Sequence, residues 1–468
     1  MPEIVNAYSN FFFPLLINHL SYKQLLEKLE EANYKLYDVD SAPSVDYGDG
    51  LADDYEHLRN YFMPNVEHKL LDNDPNGESF LRFTKQHDLA CTLTVDNQEH
   101  PFKLINLEVI VCPFSLVFLL IRTKHSEEAT KEQAENFIQA FRTLQKKQKF
   151  QLDKQANETY ETTEAFLQKV LIADLPTLFR KKKGEKYTNS FSNFQDKKLI
   201  ASNFITFYEA HEAETLFYLN EGHGTHKYDE LVKPYISKNY IERYLDEHVL
   251  ERYDDHINYI QAEETGTITT YFPVAGDSWK FFKRYYNSSF FYQLLIHYFQ
   301  NITLLTLANE YANVKWKKDQ SYVRELMKKI SLFDARYHFA ELSTYKEENE
   351  LTEFLQKSFG ITKKYEETIH SLNQLFTNQE QLADLKQNNL LFFLTMSSVI
   401  TGVFGMNLIV DRWKNGISMK EVTSYTGIES FIFIVTAISI IAALLLTGQR
   451  LYELVVEQWR RIKKSKMK

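Results

Sequence analysis

The chain has 468 residues, with 54 Lys and Arg against 63 Asp and Glu, for a formal net charge of −9. Apolar residues at 44% and aromatics at 15% exclude a wholly disordered chain, and the acidic balance argues against a general nucleic-acid binder. The two cysteines, Cys91 and Cys112, lie far apart without a zinc spacing, which argues against a disulfide scaffold or a structural zinc protein.

At the start of the chain, the run FFFPLLI (11–17) is short and follows Glu3 rather than a basic cluster, so it does not read as a signal peptide. Residues 104–124 predict two apolar strands broken at Pro113. A helix is expected within 126–147, acidic at its start and basic at its end, and another strand at 197–211. Residues 1–275 therefore read as an α/β layer domain with its strand order open.

Several polar clusters in this part fail as sites. Asp72-Asn73-Asp74-Pro75-Asn76-Gly77 opens like a calcium loop, but the twelfth position is Phe83 instead of a bidentate Glu, which leaves a turn. Glu221, His223 and His226 read as a polar hairpin tip, and Arg180–Lys183 as a solvated loop. Asp246-Glu247-His248 and Asp254-Asp255-His256 sit on what reads as one charged helix; Asp246, Asp254 and Asp255 are the candidates for ion sensing. With no P-loop, HExxH or GxSxG, no catalytic residue is assigned and the chain does not read as an enzyme.

From Trp279 the pattern turns helical, with helices expected over 279–312 and 316–346 inside a helical region at 276–360. Tyr285–Asn309 is uncharged but carries Gln293, His297, Gln300 and Asn301, which suits a helix buried by other helices rather than by lipid. Beyond Gly360 one continuous helix is expected from 361 to 404, roughly 65 Å long. Its stalk portion is 361–386, and a helix of that length needs copies of itself or neighbours to pack on.

Two charge-free windows follow, 387–410 and 430–449, each long enough for a bilayer. They predict a first transmembrane helix over 387–407, an extracellular loop over 408–429 and a second transmembrane helix over 430–449. The tail 450–468 holds seven Lys or Arg against two Glu, while loop 411–429 is balanced. The positive-inside rule then predicts a multi-pass protein of the cell membrane with both termini cytoplasmic.

Along the long helix, Asp384, Asn388, Leu391, Thr395, Ser398 and Gly402 step by four and three, a 3.5-residue period that keeps one seam on a common axis. In a ring of subunits this polar, small seam would line a water path, with Asp384 recruiting cations at its mouth and Leu391 as a hydrophobic constriction. The plainer reading is that Ser and Thr bond back to their own helix and that small residues sit where helices touch.

Gly405-Met406-Asn407 ends this helix just before the last apolar window. Together with the long helix and basic tail, the tripeptide resembles the GMN signature of the CorA-type divalent cation channels, over roughly 355–468. The resemblance implies an α+β membrane protein: an α/β domain, long helices, and a stalk helix continuous with the first of two transmembrane helices. It also implies a ring-shaped homo-oligomer, a pentamer with a funnel-shaped cytosolic domain, and passive Mg²⁺ influx. Divalent ions bound between those domains would close the pore. Gly405, Met406 and Asn407 would then form the selectivity filter, with Asn407 amide oxygens holding the hydrated cation through its waters. No resident cofactor is implied; the partners are further copies of the chain, lipid and the transported or regulatory divalent cations, with no nucleic acid. The loop LIVDRWKNGISMKEV differs from the acidic loop common in the family, which keeps proton-linked Zn²⁺ transport of the ZntB type open. Thr395 stands where magnesium channels often place Met, and Gln381 where a second Asn ring is expected. A rival of another class is a non-conducting, membrane-anchored scaffold or ion sensor with the long helix as its stalk.

Overall fold

A computed structural model of the chain describes residues 3–17, 22–39, 55–74, 78–125, 129–153, 155–175, 198–211, 213–221, 236–250, 252, 257–271, 278–314 and 320–405, and scattered positions between 426 and 445. The described residues divide into two units, residues 1–309 with 332–367, and residues 310–331 with 368–468.

The first unit is organised by an 11-stranded sheet among the described residues. Its strands are β1 (Ile4–Leu16), β2 (Lys35–Leu36), β3 (Leu81–Val95), β4 (Gln98–Val111), β5 (Leu116–His125), β6 (Lys149–Leu152), β7 (Gln155–Tyr160), β8 (Ile200–Phe207), β9 (Val249–Leu250), β10 (Ile257–Gln261) and β11 (Thr265–Tyr271). The spatial order is β7-β6-β3-β4-β5-β1-β8-β11-β10-β9, with β2 added on β3. The pairings are antiparallel except β8 with β11, which run parallel.

Local chemistry explains the turns. Asp96 and Asn97 join β3 to β4 with φ of 49° and 65°, the left-handed pair that a two-residue hairpin needs. The strands expected at 104–124 are β4 and β5, and their connection bends at Phe114 and Ser115, with φ of 61° and 62°. A register shift between Leu104 and Asn106 puts Leu104 and Leu107 on one face, so simple alternation fails there. The run FFFPLLI lies mostly in β1, between β5 and β8; Pro14 sits past Phe12, where pairing with β8 ends, so its missing N–H breaks no ladder on that side.

Both faces of the sheet are covered. On one, α1 (Tyr22–Glu31) and α4 (Lys131–Arg142) join Phe11, Phe102 and Phe150 in the main core, where Phe11 and Phe141 stack at 4.4 Å. Helix α4 starts with a capping box, Thr130 and Gln133 each bonding the other's backbone N–H. On the opposite face, α8 (Ser278–Asn287) and α9 (Ser289–Ala312) approach, with Phe12 5.1 Å from Tyr298 and 6.0 Å from Phe291. The helix expected at 279–312 is thus broken at Ser288, whose hydroxyl donates to Arg284 O at 2.7 Å. The remaining helices include α2 (Tyr55–Tyr61), α3 (Pro64–Leu70), α5 (Thr163–Phe166), α6 (Ala213–Glu221), α7 (Lys238–His248), α10 (Gln320–Tyr337), α11 (Lys346–Ser358) and α12 (Ile361–Gly405).

The uncharged stretch at 285–309 is mainly α9, buried all round from Ser289 to Leu304. Several of its polar groups are answered by protein. Gln293 Nε2 donates to Glu348 Oε2 and Tyr61 Oη, both at 3.0 Å, and Gln300 Nε2 donates to Tyr337 O at 2.8 Å. Asn301 Oδ1 accepts from Lys364 Nζ at 2.7 Å. In the second unit, Lys329 holds both Glu310 oxygens at 3.0 Å, Tyr311 Oη donates to Gln374 Oε1 at 2.6 Å, and Val323, Leu326, Ile330, Leu372 and Leu375 are buried.

Among the described residues no helix is long and apolar enough to cross a membrane. That corrects the expected fold class with its two transmembrane helices, and with it the multi-pass placement in the cell membrane with both termini cytoplasmic. In α12 the described residues after Lys386 include Gln387, Asn388, Asn389, Thr395, Ser397 and Ser398, which break up the apolar run. The second window, 430–449, and the tail 450–468 fall mostly or wholly outside the described residues.

Candidate functional site

Helix α12 places the sequence-predicted seam. It runs 45 residues from Ile361 to Gly405, following Gly360 in the left-handed conformation at φ 60°. That conformation suits a residue without Cβ and sets the break between α11 and α12. The helix spans roughly 65 Å at the usual rise.

Asp384, Asn388, Leu391, Thr395, Ser398 and Gly402 all lie on α12, and all are exposed. One continuous helix thus carries the whole seam, with the heptad-like spacing intact. Thr395 Oγ1 donates to Leu391 O at 2.8 Å, the back-bonding that lets a hydroxyl sit on a helix without an outside partner. A methyl group added at Gly402 would meet nothing within 4 Å, so the lone chain gives no steric reason for a glycine there.

The surface beside the seam is apolar and open. Leu390, Phe392, Leu394 and Met396 are exposed, Phe392 by 61% and Leu394 by 68%. Soluble monomers rarely leave such a contiguous apolar stretch bare. Helix α12 ends at Gly405; Met406 and Asn407 of the expected filter lie outside the described residues.

The other candidate residues are not gathered into a site. Helix α7 stops at His248 and β9 follows at once, so the two acidic triplets do not share a helix. Asp246 is exposed on α7, His248 stacks on Tyr244 at 4.2 Å, and Asp254, Asp255 and His256 lie outside the described residues. Glu221 ends α6 and accepts from Tyr244 Oη, while His223 and His226 lie outside the described residues. Asp72 is bonded to His68 Nδ1 at 2.6 Å and Arg59 Nη1 at 3.2 Å, which lowers its carboxyl below the ordinary range, and Phe83 sits in β3. Among the described residues no group of three or more His, Cys, Asp or Glu is arranged to hold a metal ion.

Sequence reasoning missed a charged cluster buried on the α8–α9 face of the sheet. Glu108 of β4 is fully buried and accepts from Arg82 of β3 at 3.0 Å and from Arg122 of β5 at 2.7 Å. Asn106 Nδ2 donates to it at 3.2 Å, and both guanidinium groups lie over Phe291, at 5.0 and 4.7 Å. Arg122 also donates to Asn287 Oδ1 at 3.1 Å and Arg82 to Tyr292 Oη at 3.4 Å, which ties α8 and α9 to the sheet. Burial pushes the Glu108 carboxyl up, but Arg122 and Arg82 outweigh it and hold it down, to about 2. The signal was a Glu inside an apolar strand run, with one Arg diagonal to it on each neighbouring strand. Compared with protein-family models, curated proteins and solved structures, the chain matches none of them.

Proposed function

We propose that the chain passes divalent cations, Mg²⁺ foremost, along the axis of a homo-oligomer, with Gly405, Met406 and Asn407 as the selective element. The observation that supports this reading is α12: one unbroken helix carries Asp384, Asn388, Leu391, Thr395, Ser398 and Gly402 and reaches Gly405, the first residue of the Gly405-Met406-Asn407 run. A ring of amide oxygens accepts hydrogen bonds from the waters of a hydrated ion, attracting it without stripping its shell. Such selection is a property of the ring itself. The exposed apolar residues next to the seam favour burial against further copies of α12.

The test is dye-reported flux into liposomes carrying the purified protein. Mg²⁺ entry is expected without an imposed proton gradient; Zn²⁺ entry that needs a pH gradient, with Mg²⁺ excluded, would replace Mg²⁺ transport by proton-linked Zn²⁺ transport. A second reading is a homo-oligomeric stalk that conducts nothing. It is favoured by the Thr395 hydroxyl, which is already satisfied within its own helix, and it requires intact oligomers with no flux of either ion.

A further inference from the structure

A cavity of about 200 Å³ lies where the ends of β4 and β5 meet the first turn of α4. Pro101, Ala134 and Phe137 give it apolar walls, and His100, His125 and Glu99 bring its polar groups. His125 pairs with Phe102 across the β4–β5 ladder, so His100, two residues before Phe102, is its diagonal neighbour on the face that α4 covers. Phe137 meets the His125 ring at 4.2 Å, edge to face.

A hydrogen-bond chain fixes the tautomer of His125. Asn203 Nδ2 donates to Gly266 O and Thr267 Oγ1, each at 3.2 Å, which turns its Oδ1 toward Ser9. Ser9 gives its one hydroxyl proton to that Oδ1 at 2.7 Å. The Ser9 oxygen can then only accept at 3.0 Å from His125 Nε2, which must carry the proton. Burial pushes the His125 pKa down to about 3, so the ring is neutral, and the proton held on Nε2 leaves the lone pair on Nδ1. His100 is 5% exposed, its Nε2 has no hydrogen-bond partner, and burial lowers its pKa as well.

We propose that this cavity binds a small, uncharged, ring-sized ligand of the phenol class, whose hydroxyl donates to Nδ1 of His125. The volume exceeds the roughly 150 Å³ that accommodates benzene in an apolar cavity. His125 offers an acceptor, His100 adds an unpartnered ring nitrogen, burial disfavours the charged form of both, and Glu99 at the exposed edge repels anions. A metal ion is not the occupant, because no third ligand is placed to complete its shell among the described residues. The site is built in the sheet and is independent of the cation path assigned to α12.

The test is equilibrium binding to the full-length protein of phenol, anisole and benzoate. Phenol is expected to bind saturably, anisole (which lacks the donor) at least about tenfold more weakly, and benzoate not measurably. Ala134→Met fills the cavity without touching the hydrogen-bond chain and should abolish phenol binding. Ser9→Ala releases the His125 tautomer and should weaken phenol several-fold while leaving anisole unchanged. Anisole binding as tightly as phenol, or folded Ala134→Met protein that still binds phenol, would overturn the proposal, as would absence of saturable phenol binding to the unaltered chain.

Discussion

Glu108 sits in a largely apolar strand with an arginine from each neighbouring strand against it, and removing it would leave two buried guanidinium groups without their carboxylate. Breaking one side of a buried ion cluster typically costs about 3–5 kcal/mol. Glu108→Ala should therefore lower the denaturant midpoint steeply, whereas Glu108→Gln, which keeps an acceptor oxygen, should lower it less. The carboxyl ionises near 2 when folded, against an ordinary 4.5. Its contribution is thus present above the unfolded value and lost as pH falls through the folded one. Glu348 of α11 works in the opposite sense. Burial raises its carboxyl to about 7, with Tyr285 Oη and Gln293 Nε2 both donating to it at 3.0 Å. Between 4.5 and 7 the folded chain holds a proton that the unfolded chain has released, so its contribution falls as pH rises through that window. Glu348→Gln should flatten that slope when unfolding midpoints are compared across the window.

At the scale of elements, β1 and α12 differ in how plainly the sequence announces them. Helix α12 carries its own signals: Gly360 before it, no proline within it and a steady 3.5-residue spacing, so its start at Ile361 and its continuity to Gly405 are legible. Strand β1 reads as an unpatterned apolar run because it is buried on both faces, and its neighbours β5 and β8 come from positions more than a hundred residues away. No local pattern encodes such pairings. The His100–His125 cavity was hidden for the same reason, since the residues that fix the tautomer, Ser9 and Asn203, come from β1 and β8. Phe12 shows how much that hidden pairing carries. It is buried against Phe118 of β5 and Phe291 and Tyr298 of α9, so Phe12→Ala should destabilise the chain by about 3–5 kcal/mol in chemical denaturation. Thr395→Val on α12 keeps the shape and removes the hydroxyl. Under a cation path it should reduce Mg²⁺ flux without changing helix content, whereas under a non-conducting stalk it should change nothing measurable.

For the whole molecule, the sequence arithmetic takes on a different meaning once it is divided by position. The final 19 residues carry about +5 of a chain whose total is −9, so the acidic excess belongs to the portion before them. The described apolar surface is also concentrated, since Leu390, Leu391, Phe392 and Leu394 of α12 are exposed while the sheet is covered on both faces. Sedimentation of the purified chain should therefore show a homo-oligomer, and charged substitutions at Leu391 and Leu394 should dissociate it while leaving the sheet-containing unit folded. Flux through Asn407→Ala protein probes the proposed cation path most directly. With oligomer size unchanged by sedimentation, selective Mg²⁺ uptake into liposomes should be lost in the variant and present in the unaltered protein. Equal Mg²⁺ uptake by both would contradict the filter at Gly405, Met406 and Asn407, and no uptake by either would leave α12 as a stalk.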